Sequence, residues 1–255
     1  MLDGRVAIIS GGLGDIGRAI ARALAQAGAR VALGDVRPSA DASDLLAELR
    51  TLGRGTRYDR VDVADADAVE AWIGAVAGDL GVPDLIIPNA AIVALADART
   101  ITAASWSEQL RIDLDGCFHL AQGCAKRLLA AKTSGRIVFI GSWAADRPHR
   151  HIPAYCVAKA GVRMLMKCLA LELADADILV NEVAPGYVDA GLSGRIFAAE
   201  PAKRAVAEAV VPVRRLITAD EVAHHVLALC DPCDRHRTGT VTLVDGGLSL
   251  LTPGN

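Results

Sequence analysis

Tyr155 and Lys159 stand one helical turn apart, and Ser142 precedes the tyrosine by thirteen residues. Residues i and i+4 share a helix face, so an ammonium at 159 sits beside a phenol at 155. A neighbouring cation favours the phenolate and should lower a tyrosine pKa from its usual value of about 10. Tyr155 would then give or take a proton near neutral pH. A Tyr-x-x-x-Lys spacing arises by chance in many chains, so its weight depends on a second, independent signal.

That signal is Ser10-Gly-Gly-Leu-Gly-Asp-Ile-Gly17, which follows the apolar run 5–10 and opens the helical pattern 16–26. A strand, a glycine-rich turn and a helix N-terminus form a cradle for dinucleotide phosphates. Gly11 permits the turn and Gly17 lets helix and sheet approach closely, with Leu13, Asp15 and Ile16 the further candidate contacts. A second apolar run, 30–35, ends in Asp35, eighteen residues beyond Gly17. A carboxylate there accepts hydrogen bonds from ribose hydroxyls and repels a 2′-phosphate, which favours NAD over NADP. Arg37 is close enough to accommodate such a phosphate, so NADP stays open.

These side chains need a frame, and the hydrophobic pattern supplies one. Apolar runs at 5–10, 30–35, 56–63, 84–89, 135–142, 178–184 and 240–245 alternate with helical periods at 15–28, 40–52, 65–80, 104–131, 154–175 and 219–230. Continuous apolar strands between amphipathic helices predict a parallel sheet of about seven strands covered on both faces. Right-handed crossovers make it an α/β, doubly wound, Rossmann-like three-layer fold. No linker or repeat divides the chain, so 1–255 reads as one domain. The irregular stretch 185–218 follows the sixth strand, where a substrate-covering loop with short helices fits.

With 255 residues, 52% apolar and 22% charged, the chain can bury a full core. A formal charge of −3 gives no electrostatic footprint for nucleic acid. The first strand begins almost at once, and no apolar run reaches the roughly 18 residues of a membrane span, so the expectation is a soluble, cytoplasmic protein. Cys230-Asp-Pro-Cys233 with His236 looks like half a metal site, but no second Cys/His pair stands at matching spacing. The expectation is no metal, and ordinary thiols in a helix-end turn.

Taken together, the glycine turn and the Ser142, Tyr155 and Lys159 set resemble the single-domain branch of the short-chain dehydrogenase/reductase family. Further motifs follow in the family's order over essentially the whole chain. Asp62-Val63 stands where the family holds the adenine. Pro88-Asn89-Ala90-Ala91 is similar to its Asn-Asn-Ala-Gly, and Pro185-Gly186-Tyr187-Val188 to its turn beside the nicotinamide. Val244-Asp245-Gly246-Gly247 resembles a C-terminal segment that often packs in a tetramer. The resemblance implies that Lys159 binds the nicotinamide ribose and acidifies Tyr155, that Ser142 orients the substrate oxygen, and that Tyr155 moves the proton. It also implies a homotetramer, or a homodimer.

The chain departs from the family pattern in four places. Asp15 replaces the middle glycine of the turn, where a carboxylate must turn away from a diphosphate, for instance to cap the helix. Pro88 and Ala91 replace an asparagine and a glycine. Asp113 replaces the asparagine that is the fourth member of the catalytic set. The backbone carbonyl that carries much of that role survives, but a buried carboxylate must be paired or protonated, so an altered pH profile is expected. Ala190 replaces a threonine that bonds the nicotinamide carboxamide.

The reading is an NAD(H)-dependent oxidoreductase that interconverts a secondary alcohol and a ketone. A sugar or polyol is favoured, because the polar run His149-Arg150-His151 borders the substrate side; that run also reads as a plain polar loop. A 3-oxoacyl or steroid substrate is an alternative. So is an NAD-binding sensor or scaffold with impaired turnover, which the altered positions suggest. Trp143 either shapes the pocket wall or only packs.

Overall fold

The computed structural model describes residues 1–52 and 55–251, so the reading of 1–255 as one domain extends beyond the described residues at 53–54 and 252–255. Each apolar run forms a strand: β1 (Val6–Ser10), β2 (Arg30–Asp35), β3 (Thr56–Arg60), β4 (Leu85–Ile87), β5 (Gly135–Ile140), β6 (Ile178–Pro185) and β7 (Val241–Val244). They lie in one sheet in the order β3-β2-β1-β4-β5-β6-β7, with every adjacent pair parallel. The strand order reverses between β1 and β4, and a parallel sheet opens a crevice at the carboxyl ends of the strands on either side of such a point. Ser10 and Asn89 stand at the mouth of that crevice.

Both faces of the sheet are covered, which is why its inner strands are largely apolar, whereas β3 at the edge is polar and half-buried. Within β1, Ile8 packs into one cluster with Val69 and Ile73 of α3 (Ala66–Asp79), Leu120 of α5 (Gly116–Ala131) and Met166 of α6 (Pro153–Leu173). Ala7 and Ile9 point the other way. They join Ile20 and Leu24 of α1 (Asp15–Gln26), Leu45 of α2 (Ser43–Arg50) and Val222 and Val226 of α9 (Ala219–Leu229). Each such aliphatic side chain contributes about 1.5–3 kcal/mol on burial, so the two clusters hold the sheet rigid beneath the crevice.

One segment differs from the sequence expectation. The helical period 104–131 is broken into α4 (Ala103–Leu110), a π turn (Arg111–Asp115) and α5. The wide turn carries buried Asp113 one turn beyond buried Gln109, and the two bond each other and the chain after β4. That polar pairing, invisible to hydrophobic periodicity, accompanies the break. The stretch 185–218 contains two helices, α7 (Gly191–Ala199) and α8 (Pro201–Val210). Arg204 of α8 clasps Asp189 at 2.7 and 3.0 Å, which ties these helices to the exit of β6. Among the described residues no helix is long and apolar enough to cross a membrane.

Candidate active site

The crevice begins at the glycine turn. Gly11 has φ +62°, and a Cβ there would lie 2.8 Å from Ala90 Cα. A Cβ on Gly17 would meet the Gly11 carbonyl oxygen at 2.3 Å, so both positions admit only glycine. Gly14 precedes α1 and no side chain caps that helix, which leaves its N-terminal end to the cavity lined by Gly14, Asp15, Ile16 and Gly17. A bare helix N-terminus after a strand and tight glycine turn fits a diphosphate, through backbone N–H groups and the helix dipole. Asn89 locks the floor: its Nδ2 donates to the carbonyls of Ser10 (2.9 Å) and Gly11 (3.1 Å), while Ser10 Oγ accepts from the Asn89 and Ala90 amides.

Asp15 turns away from the helix end, but not as a cap. Its Oδ2 accepts from the backbone N–H of Gly191 at 2.7 Å, so the carboxylate ties the cradle to the start of α7. At the end of β2, Asp35 accepts from Leu13 N–H at 3.1 Å and from Arg37 N–H at 3.2 Å. The Arg37 guanidinium also pairs with it at 3.4 Å, and both side chains line the cavity.

The same cavity, about 500 Å³, runs to Ser142 and Tyr155. Ser142 directly follows β5 and Gly141, and its Oγ accepts from Ala144 N–H at 3.1 Å, which fixes a short helical turn over 143–145. α6 starts at Pro153, a favoured first-turn residue, and carries Tyr155 and Lys159 on one face. Lys159 Nζ lies 5.5 Å from the centre of the Tyr155 ring and donates to the Ile140 carbonyl at 2.9 Å. Burial works against the ammonium, but Tyr155, Asp113, Cys117 and Glu182 outweigh it and hold the Lys159 pKa above the ordinary value.

Asp113 is fully buried behind this group. It accepts from Ile92 N–H at 2.8 Å and Gln109 Nε2 at 2.7 Å, and Gln109 accepts in turn from Ala94 N–H at 2.8 Å. Burial pushes the Asp113 carboxyl up to about 6, against the opposing pull of Lys159 and of the two hydrogen bonds. On the outer wall, Trp143 meets His149 and Tyr187 edge-on, with ring centres 4.4 and 5.4 Å away. Burial lowers the His149 pKa, and among the described residues its buried Nε2 has no hydrogen-bond partner.

The expected residues therefore sort into three sets. Gly11, Asp15, Ile16, Gly17, Asp35, Asn89, Ser142, Tyr155, Gly186 and Val188 line one cavity. Leu13, Asp113, Lys159 and Pro185 lie behind its wall; Leu13, Asp113 and Lys159 bond residues that form or support it. Asp62 and Val63 fall just past β3, outside the lining: Asp62 accepts from Ala64 N–H at 2.9 Å, and the Val63 carbonyl meets His119 Nδ1 at 2.9 Å. Sequence reasoning missed Gln109 and the buried pair Arg163 and Glu182. An acid inside the apolar strand 178–184 was the available signal for the pair. Cys230 is a buried free thiol and Cys233 an exposed one, and among the described residues no group of three or more His, Cys, Asp or Glu is placed to hold a metal.

Comparison with known proteins agrees with this geometry. A family model described as enoyl-(acyl carrier protein) reductase matches residues 12–249. The chain is 36% identical to cis-4-hydroxycyclohexanecarboxylate dehydrogenase of Sinomonas cyclohexanicum, covering 97% of each chain. It is 33% identical to D-threitol dehydrogenase of Mycolicibacterium smegmatis, covering 98% of this chain and 94% of that one. Among solved structures, a gluconate 5-dehydrogenase from Burkholderia cenocepacia, in complex with NADP and tartrate, superposes with a TM-score of 0.91 at 30% identity, over 98% of this chain and 97% of that one. The chain belongs to the short-chain dehydrogenase/reductase family and is an NAD(P)-dependent dehydrogenase acting on CH–OH groups.

Proposed function

We propose that this short-chain dehydrogenase/reductase interconverts a secondary alcohol and its ketone with NAD(H), using Tyr155 as the general acid and base. One observation carries the reading. Tyr155 and Ser142 line the cavity that begins at the glycine turn, with the buried Lys159 ammonium 5.5 Å from the phenol ring. The dinucleotide, when bound, supplies or accepts the hydride. The backbone of the turn at Gly11, Leu13, Asp15, Ile16 and Gly17 would hold its diphosphate end, with the Asp15 carboxylate turned away to Gly191, while Asp62 and Val63 would hold its adenine and Asn89, Pro185, Gly186 and Val188 its nicotinamide end.

Tyr155 Oη gives its proton to the carbonyl oxygen during reduction and takes it from the hydroxyl during oxidation. Ser142 Oγ donates to the same substrate oxygen, where negative charge develops. Lys159 keeps a positive charge next to the phenol ring. Asp113 supports that charge electrostatically from behind, while its own hydrogen bonds run to Ile92 and Gln109. The aromatic wall of Trp143 and Tyr187 excludes water from the reacting oxygen.

The substrate is a small polyhydroxylated molecule. Ser142, Tyr155, His149, Tyr187 and Ser193 put polar groups around a cavity with apolar patches at Trp143, Ile152 and Ile196. The His149 Nε2 without a partner suits a substrate hydroxyl. A threitol-acting and a gluconate-acting relative support the same class. NAD is preferred because Asp35 faces the ribose position and already holds the Arg37 guanidinium that a 2′-phosphate would need. A homotetramer is the expected assembly. An exposed apolar row at Val157, Met164 and Leu171 on α6, beside Phe118 and Leu129 of α5, supports association, and light scattering measures it.

Incubating the protein with NAD⁺ or NADP⁺ and a panel of tetritols, sugars, sugar acids and simple secondary alcohols tests this. Reduced nicotinamide should appear in its near-ultraviolet absorbance with a polyol or sugar acid, with kcat/KM at least about tenfold higher for NAD⁺, equivalent to 1.4 kcal/mol. Tight NADH binding by calorimetry with no turnover of any alcohol or ketone would replace the enzyme with a nucleotide sensor.

A further inference from the structure

α6 bears a second cation on the face that carries Tyr155 and Lys159. Arg163 follows Lys159 by one more turn and is buried, as is Glu182 in β6. Arg163 Nε and Nη2 clasp the two Glu182 oxygens at 3.0 and 2.8 Å, the two-point geometry that suits guanidinium to carboxylate. Nη2 also donates to the backbone carbonyl of Ser142 at 3.0 Å, and Nη1 donates to Asp146, just past the turn that Ser142 begins. One turn earlier, Lys159 holds the carbonyl of Ile140 at 2.9 Å. Successive cations of one helix thus fix the carbonyls on both sides of Gly141. A Cβ on residue 141 would lie 1.9 Å from Glu182 Oε1, so the clamped carboxylate fills space that any other residue there would need.

Stability alone does not explain this arrangement. A buried ion pair is often no more stabilising than two apolar side chains of similar size, because both ions must leave water. The pair's remaining hydrogen bonds run to the chain at Ser142 and Asp146 rather than elsewhere in the core.

We propose that Arg163 and Glu182 are positioning residues for Ser142: Glu182 orients the guanidinium, which anchors the Ser142 carbonyl and aims the hydroxyl into the cavity beside Tyr155. The inference rests on the proposed role of Ser142. Lys159 and Arg163 together make α6 a ruler for the exit of β5, setting where the serine stands relative to the tyrosine on the same helix. A serine displaced by an ångström costs turnover rather than cofactor affinity.

The informative variant is Arg163→Met with Glu182→Met, because removing both charges leaves no orphaned ion in the core. It should fold and bind NADH as the unaltered protein does, with kcat down about a hundredfold, the usual cost of a misplaced reacting group. Arg163→Lys keeps the charge but loses the fork, so its kcat should fall between the two. A folded double variant with unaltered kcat would overturn the proposal.

A second readout does not depend on turnover. The amides of Ala144 and Ala145 donate to Ser142 Oγ and to the Ser142 carbonyl, both at 3.1 Å. Their hydrogen exchange should speed up about tenfold or more in the double variant, while Val138 and Phe139 in β5 stay protected. If the double variant does not fold, Glu182→Gln, which weakens the clasp without emptying the space, should raise exchange at the same two amides. Unchanged exchange in the folded variant sinks the positioning role even if the enzyme is active. An unaltered protein inert towards every alcohol sinks the functional reading alone.

Discussion

Asp113 carries a negative charge in a place where water cannot reach it, and that has a measurable consequence. Burial raises its folded pKa to about 6, above the ordinary 3.8. Between those values the folded chain binds a proton that the unfolded chain has lost, so this group's contribution to stability falls as pH rises through the window. The loss is complete above about pH 6 and amounts to roughly 3 kcal/mol at most, since one pKa unit corresponds to 1.36 kcal/mol. Asp113→Asn removes the slope. Its amide meets the Gln109 donor imperfectly, which adds a penalty that does not depend on pH. Denaturant midpoints should therefore show the variant gaining about 2–3 kcal/mol relative to the unaltered protein between pH 4 and pH 7. A pH-independent difference would mean that folding does not shift this carboxyl's pKa. The position was legible in the sequence, because an aspartate stood where the family motif has asparagine. Its partner Gln109 was not, because the two are joined across a π turn that hydrophobic spacing does not report.

Helices and strands do the positioning. The inner strands could be read from apolar spacing, because a sheet buried on both faces leaves little choice of residue, whereas β3 is polar and half-buried and the period 104–131 hid the π turn. Short helices were expected in the stretch that holds α7 and α8, but their bounds were not legible, since glycine, proline and charge mask their periods. Arg163 was hidden for a different reason: charged residues on an amphipathic helix usually face water, and only the fold brings Glu182 opposite it. The glycine turn is the element with the least tolerance. Gly17→Ala would put a Cβ 2.3 Å from the Gly11 carbonyl, where backbone has to move. Thermal or denaturant unfolding should show a loss of about 1–3 kcal/mol, the usual cost of overpacking. NADH affinity should fall by at least about tenfold, because 1.4 kcal/mol at the cradle is enough for that. An alanine variant with full affinity would mean that the turn does not hold the diphosphate.

At the scale of the molecule, the cofactor cradle and the covering helices are linked. Asp15 at the start of α1 bonds Gly191 at the start of α7, and Arg204 of α8 holds Asp189 at the exit of β6. The carboxylate that disfavours an anion at the helix end is thus the one that steadies the covering segment. Asp15→Gly separates these effects. It should tighten NADH binding by about fivefold, because a charge at a helix N-terminus is worth about 1 kcal/mol, and raise the substrate KM severalfold as the segment loosens. Calorimetry and steady-state kinetics measure the two independently, and a variant that bound NADH more weakly would show that Asp15 helps to hold the dinucleotide.

The central claim concerns one hydroxyl. Tyr155→Phe deletes it and leaves the cradle, the sheet and Lys159 in place, so a comparison of NADH binding with turnover on the best polyol of the panel is the direct measurement. The account predicts affinity within about threefold and kcat reduced by about 10²–10⁴, the range that a general acid and base supplies. A phenylalanine variant that turns over at the unaltered rate would contradict it.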